Sequence, residues 1–158
     1  MSRIYLFDWG DTLMIDNPSL PGKMCDWPQV EATPHALEML RRLSQRAEIY
    51  IATNAENSVE ADVRNAFLRV GLDDYIQGYF CKQTLGVSKG TPLFYHMIIE
   101  RLNAVPAAVT MVGDTLENDI LPAAEAGLQT IWYNPGHQPF TSTYAGPVVH
   151  CLTDILDL

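Results

Sequence analysis

The chain reads as an α/β protein: a three-layer α/β/α sandwich with a central parallel sheet. Three observations predict this. Short apolar runs of strand character alternate with helical patterns at short spacing, which implies parallel strands with helices on both faces. Three of those runs end in polar residues, at Asp8, Thr53-Asn54 and Asp114, and in a parallel sheet such ends converge on one crevice. The length of 158 residues suits one domain, 1–158, large enough to bury its own core.

Residues 3–8 form the first buried strand. Residues 14–33 carry Pro18, Pro21, Gly22 and Pro28 with little periodicity, and read as a flap. Pro34 opens an amphipathic helix with Ala36, Leu37, Leu40 and Leu43 at helical spacing. Residues 48–52 are a second strand, and Thr53-Asn54 after it suit a turn or N-cap. A helix over 57–70 closes at Gly71. A short strand over 78–82 follows. The helix over 91–103 turns Phe94, Met97, Ile98 and Leu102 inward. An apolar strand over 108–112 runs into Gly113-Asp114. A helix over 117–126 ends at Gly127, and 128–133 is a further strand. The turn-rich tail ends in a strand over 148–150 and a last helical turn.

Composition is that of an ordinary globular protein, 47% hydrophobic and 18% charged. A net charge of −9 argues against a nucleic-acid partner held by counterion release. It fits a protein that uses a cation to approach an anionic substrate. Cys25, Cys81 and Cys151 are scattered without zinc spacing, so free thiols in a cytoplasmic setting are expected. No window approaches the roughly 18 apolar residues of a membrane span, and no membrane partner is expected.

Four motifs follow one another along the chain. They are Phe7-Asp8-Trp9-Gly10-Asp11-Thr12-Leu13; Ile51-Ala52-Thr53-Asn54; Gly86-Val87-Ser88-Lys89-Gly90-Thr91-Pro92; and Val112-Gly113-Asp114-Thr115-Leu116-Glu117-Asn118-Asp119. In this order they resemble the haloacid dehalogenase-like superfamily, a Rossmann-like group dominated by phosphatases. The resemblance implies a Mg²⁺-dependent hydrolase, most simply of a phosphate monoester. Asp8 would be the nucleophile, since a carboxylate can form an acyl-phosphate and split one hard step into two. Asp8, the backbone carbonyl of Gly10, Asp114 and Asp119 would hold Mg²⁺, which takes about six hard oxygen ligands. Lys89 would neutralise the transferring phosphoryl group, and Thr53 with the Asn54 N–H would hold its oxygens.

One position departs from the family pattern. The residue two after the nucleophile is an acid in the phosphatases, where it protonates the leaving group; here it is Gly10, followed by Asp11. Such acid–base help contributes typically 10²–10⁴-fold. Four readings follow. Asp11, or a flap acid such as Asp16, takes over proton transfer; the enzyme is slow; it is a dehalogenase- or phosphonatase-type relative; or it is a phosphate- or Mg²⁺-binding regulatory protein. The Asp114/Asp119 pair argues against dehalogenase chemistry, which needs no Mg²⁺.

No sizeable cap domain is expected, because only about twenty residues separate Leu13 from the first helix. An open site admits a small or a bulky phosphorylated substrate, or is closed by a neighbouring copy in a homo-oligomer. Trp27 either packs the flap onto the domain or forms an interface.

Overall fold

Six strands make one parallel sheet in a computed structural model, which describes residues 3–17, 19–53, 59–139 and 144–158. They are β1 (Arg3–Phe7), β2 (Ala47–Thr53), β3 (Gly78–Cys81), β4 (Val109–Gly113), β5 (Gln129–Tyr133) and β6 (Val148–Val149). The spatial order is β3-β2-β1-β4-β5-β6. Phe7 is level with Ile51 of β2 on one side and with Val112 of β4 on the other. The chain leaves β1 outward to β2 and β3, then returns to β4 on the opposite side. The crevice of an open α/β sheet lies beyond the strand carboxyl ends at this reversal.

The strand sequence explains the three layers. Successive side chains of a strand point to opposite faces. Tyr5 and Phe7 of β1 enter one core, while Ile4 and Leu6 enter the other. The first core is covered by α1 (Ala36–Leu43), α2 (Glu60–Arg69) and the C-terminal turn Leu152–Asp157. The second is covered by α3 (Lys82–Leu85), α4 (Pro92–Leu102) and α5 (Leu121–Glu125). With both faces covered, β1 reads as a continuous apolar run. Each large side chain fully buried this way contributes about 1.5–3 kcal/mol.

Local chemistry sets the helix ends. Asp62 in the first turn of α2 accepts the Val59 N–H at 3.0 Å. Pro92 opens α4 directly after Thr91, and Asn103 closes it at φ 51°. Three expectations need correction. Helix α1 begins at Ala36, not Pro34, and Leu37 is 46% exposed while Met39 is fully buried. The core selects the residues that face the sheet, and Met39 lies on the same stripe as Leu40 and Leu43. Residues 82–85 form a helical turn rather than a strand end. The helix expected over 117–126 is split into a π-type turn, Leu116–Ile120, and α5. The reason for that split lies in the site.

The flap is pinned at its base and along its length. Ile15 N–H donates to Glu31 O at 2.9 Å and Thr33 N–H to Leu13 O at 2.9 Å, a short antiparallel ribbon. Met24 and Trp27 are buried in the first core, so Trp27 packs the flap onto the domain. Lys23 pairs with Asp62 at 2.8 Å. The Arg69 guanidinium donates to the carbonyls of Cys25, Trp27 and Pro28 at 3.1, 2.5 and 3.2 Å. Arg69→Ala is expected to cost of order 1 kcal/mol and to speed amide exchange at Asp26 and Trp27 relative to the sheet. Unchanged exchange at those amides would show that packing alone holds the flap. Among the described residues no helix is long and apolar enough to cross a membrane, and the three cysteines are free thiols.

Candidate active site

Asp8 is the first residue past β1, and its N–H still donates to Val112 O at 2.9 Å. The ladder therefore carries the acid to the rim of the crevice in a fixed orientation. Its side chain is 15% exposed. Asp114 stands one residue past β4, the neighbouring strand. Thr53, the last residue of β2 on the other side, is buried. Asn54 lies outside the described residues.

Lys89 comes from the loop between α3 and α4, and its side chain is 2% exposed. Its ammonium donates to Asp8 Oδ1 at 2.7 Å and to Asp119 Oδ1 at 2.8 Å. Asp119 reaches it from the π-type turn. Ile120 N–H bonds back to Thr115 O at 3.4 Å, beside Asp119 N–H to the same carbonyl at 2.9 Å. The extra residue in that turn swings Asp119 inward, as such bulges do at functional sites. The Thr115 N–H then donates to Asp119 Oδ2 at 3.2 Å. Gly113 leaves the room: a Cβ there would lie 2.3 Å from Asp119 Oδ2 and 2.5 Å from its Cβ. The glycine before Asp114 is thus a requirement of space.

Thr12 received no role from the sequence. It is fully buried, and its hydroxyl lies 3.3 Å from both Asp8 Oδ2 and Asp114 Oδ1. Its place four residues after the acid, within the first motif, was the available signal. Trp132 of β5 donates its indole N–H to Asp114 O at 2.9 Å, tying the second acid's backbone to the sheet.

Asp8, Asp114 and Asp119 each offer a carboxylate oxygen, all within 4.8 Å of one another. Burial pushes Asp114 up to about 8, and the Asp8 carboxylate beside it adds to the shift. Burial raises Asp119 to about 6 against the pull of Lys89. Burial opposes ionisation of Asp8 too, but Lys89 and the hydrogen bonds around it hold Asp8 below its ordinary value. With all three acids ionised, Lys89 leaves two negative charges uncompensated in a desolvated crevice. An all-oxygen donor set in that state fits a divalent cation.

Gly10 follows Trp9 in the turn, and Asp11 takes φ 61°. The Asp11 carboxylate is exposed and accepts the Asp16 N–H at 3.0 Å. His137 is an exposed loop residue stacked on His150 at 3.8 Å.

The site is assembled from three strand ends and two loops, and the comparisons place it in a family. The profile of the haloacid dehalogenase-like hydrolases matches residues 22–127, most of the chain. The chain belongs to that family. The Asp8 motif precedes the matched span and is joined to it by the geometry above. Among its relatives, a pyrimidine 5'-nucleotidase of Escherichia coli is 35% identical over 66% of this chain and 46% of its own length. One from Streptococcus pneumoniae is 32% identical over 77% and 52%. A ribulose-1,5-bisphosphate 5-phosphatase of Halopiger xanaduensis is 28% identical over 70% and 45%. The chain spans about half the length of the curated relatives it matches. Of solved structures, a Listeria monocytogenes protein aligns with a TM-score of 0.85 at 21% identity, over 98% of this chain and 95% of that one. A magnesium-bound HAD-hydrolase from Bacillus subtilis aligns at 0.81 and 16%, over 99% and 97%. These likenesses bear on the fold, which is the Rossmann-like sandwich expected from the sequence.

Proposed function

We propose that this chain is a Mg²⁺-dependent phosphate-monoester phosphatase that acts through an aspartyl-phosphate on Asp8. The observation that carries the reading is the Asp8 carboxylate at the β1 rim, 2.7 Å from a buried Lys89 and grouped with Asp114 and Asp119. The phosphatases among its relatives support it. So does the magnesium in a protein of the same fold. The substrate is then a phosphorylated molecule, small or bulky. The free thiols agree with a cytoplasmic setting.

Asp8, Asp114, Asp119 and the Gly10 carbonyl would hold Mg²⁺. Bound there, the ion supplies the charge neutralisation that lets a carboxylate meet a phosphate dianion. Lys89 holds Asp8 ionised and aims one of its oxygens. Thr12 and Lys89 fix the carboxylate from both sides, so attack needs no reorientation. Lys89 and Thr53 face the transferring group with a cation and a hydroxyl, the electrostatic help that counts most in a dry site.

The test is phosphate release from an activated aryl phosphate and a panel of alkyl phosphates, with Mg²⁺ and with chelator. Turnover that the chelator abolishes is expected. Thermal unfolding gives an independent check. Mg²⁺ at about ten times its dissociation constant should stabilise by about 1.4 kcal/mol, a rise of roughly 3–6 °C for a domain of this size. A second reading, a phosphate- or Mg²⁺-binding protein without turnover, is favoured by Gly10. It predicts the thermal shift with no phosphate released. No shift and no release would remove both readings.

A further inference from the structure

We infer that Asp16 of the flap supplies the proton-transfer carboxyl that position 10 lacks; this rests on the phosphatase reading above. Gly10 has no conformational need to be glycine, since its backbone is outside the left-handed region. A Cβ built on Gly10 would meet Asp16 Cβ at 3.5 Å, Cγ at 3.8 Å and Oδ2 at 3.9 Å. The Asp16 carboxylate therefore occupies the direction that a side chain two residues after Asp8 would take. The acid reaches the same space from the flap instead of from the turn.

The turn and the flap hold it there. Gly10 and Met14 are bridged through their backbones, with Asp11 N–H donating to Met14 O at 2.6 Å. Ile15 is fixed to Glu31 across the ribbon. Asp11 occupies a left-handed position and spends its carboxylate on the Asp16 N–H at 3.0 Å. Asp11 is thus a positioning residue, and Asp16 the carboxyl it positions. Asp16 is exposed, and among the described residues its carboxylate accepts no hydrogen bond. It is open to substrate and to water.

The chemistry balances over two steps. Asp8 forms a bond to phosphorus as the bond to the leaving oxygen breaks, and that oxygen takes the proton from the Asp16 carboxyl. Water then forms its bond to phosphorus as the Asp8–phosphorus bond breaks, and Asp16 takes the proton that water loses. The sum is ester plus water to alcohol plus phosphate.

The experiment compares wild type, Asp16→Asn and the double variant Asp16→Ala/Gly10→Asp, on alkyl phosphates and on an activated aryl phosphate with Mg²⁺ present. Asp16→Asn is expected to lower alkyl-phosphate turnover by about 10²–10⁴-fold. With the aryl phosphate it should release the first phenol near the wild-type rate and then slow, because that leaving group needs no proton while hydrolysis of the acyl-phosphate does. Gly10→Asp should restore alkyl-phosphate turnover in the double variant, since its Cβ meets the residue-16 Cβ at ordinary contact distance and its carboxyl enters the space that the Asp16 carboxylate has left. A merely structural Asp16 would depress every step on both substrates alike and would not be rescued. Full alkyl-phosphate turnover in Asp16→Asn, or equal losses without rescue, overturns the role of Asp16 while leaving the phosphatase standing. A wild type inert toward every phosphate ester overturns the phosphatase reading, and this role with it.

Discussion

Asp8→Asn is expected to bring Mg²⁺-dependent phosphate release down to the level of buffer while the protein remains folded. The amide is isosteric, and its oxygen can still accept the Lys89 proton now given at 2.7 Å. Removing one charge from a cluster with two in excess should not unfold it. What is lost is the anionic oxygen that bonds to phosphorus. A carboxamide cannot form the acyl-phosphate, so the two-step route closes instead of slowing. The measurement is single-turnover phosphate release, with intact-mass detection of a phosphorylated chain in wild type and its absence in the variant. Wild-type release by Asp8→Asn would move the nucleophile elsewhere.

Lys89→Met carries the largest expected stability effect. Its ammonium bonds to Asp8 and Asp119 with almost no contact with solvent. Methionine fills similar space and leaves three acids in a desolvated crevice with no cation beside them. Removing one partner of a buried ion pair costs about 3–5 kcal/mol, so the metal-free variant should melt roughly 10 °C or more below wild type. The loss should grow with pH. Burial already holds Asp119 at about 6 and Asp114 at about 8, above the ordinary carboxylate value. At the acid end of that range the folded state relieves the repulsion by keeping protons that the unfolded chain has released. Stability therefore falls as pH rises from the ordinary carboxylate range near 3.8 up to about 8. Mg²⁺ should recover part of the loss. A metal-free Lys89→Met that melts with wild type would show that the acids are compensated in another way.

Much of this protein was legible in its residues. The apolar run from Ile4 to Phe7, buried on both faces, could only be an inner strand, and an acid directly after it belongs at a crevice rim. The ordered motifs point to Asp8, Lys89, Asp114 and Asp119, side chains that the fold groups together, because a crevice at the ends of parallel strands is written at strand ends in the sequence. The spacing from Asp114 to Asp119 named the acid but not the π-type turn that swings it inward, since hydrophobic periodicity records a face and not one inserted residue. Leu37 shares the helical spacing yet faces solvent, and Met39 takes its place in the core, for a related reason. Periodicity allows several stripes, and only contact with the sheet selects one.

Tertiary structure alone decided the contacts that depend on distance across the chain. Thr12 between two acids, Gly113 making room for Asp119 and Asp16 over Gly10 are meetings of side chains from different elements. Gly10 followed by Asp11 departs from the family's first motif. The fold shows a left-handed Asp11 holding the flap and a carboxylate from six positions after Gly10 in the space beside it. The Gly10–Met14 bridge brings those positions together, and the pairing of Met14 and Ile15 with Ala32 and Glu31 across the flap holds them there, which no local pattern of residues encodes.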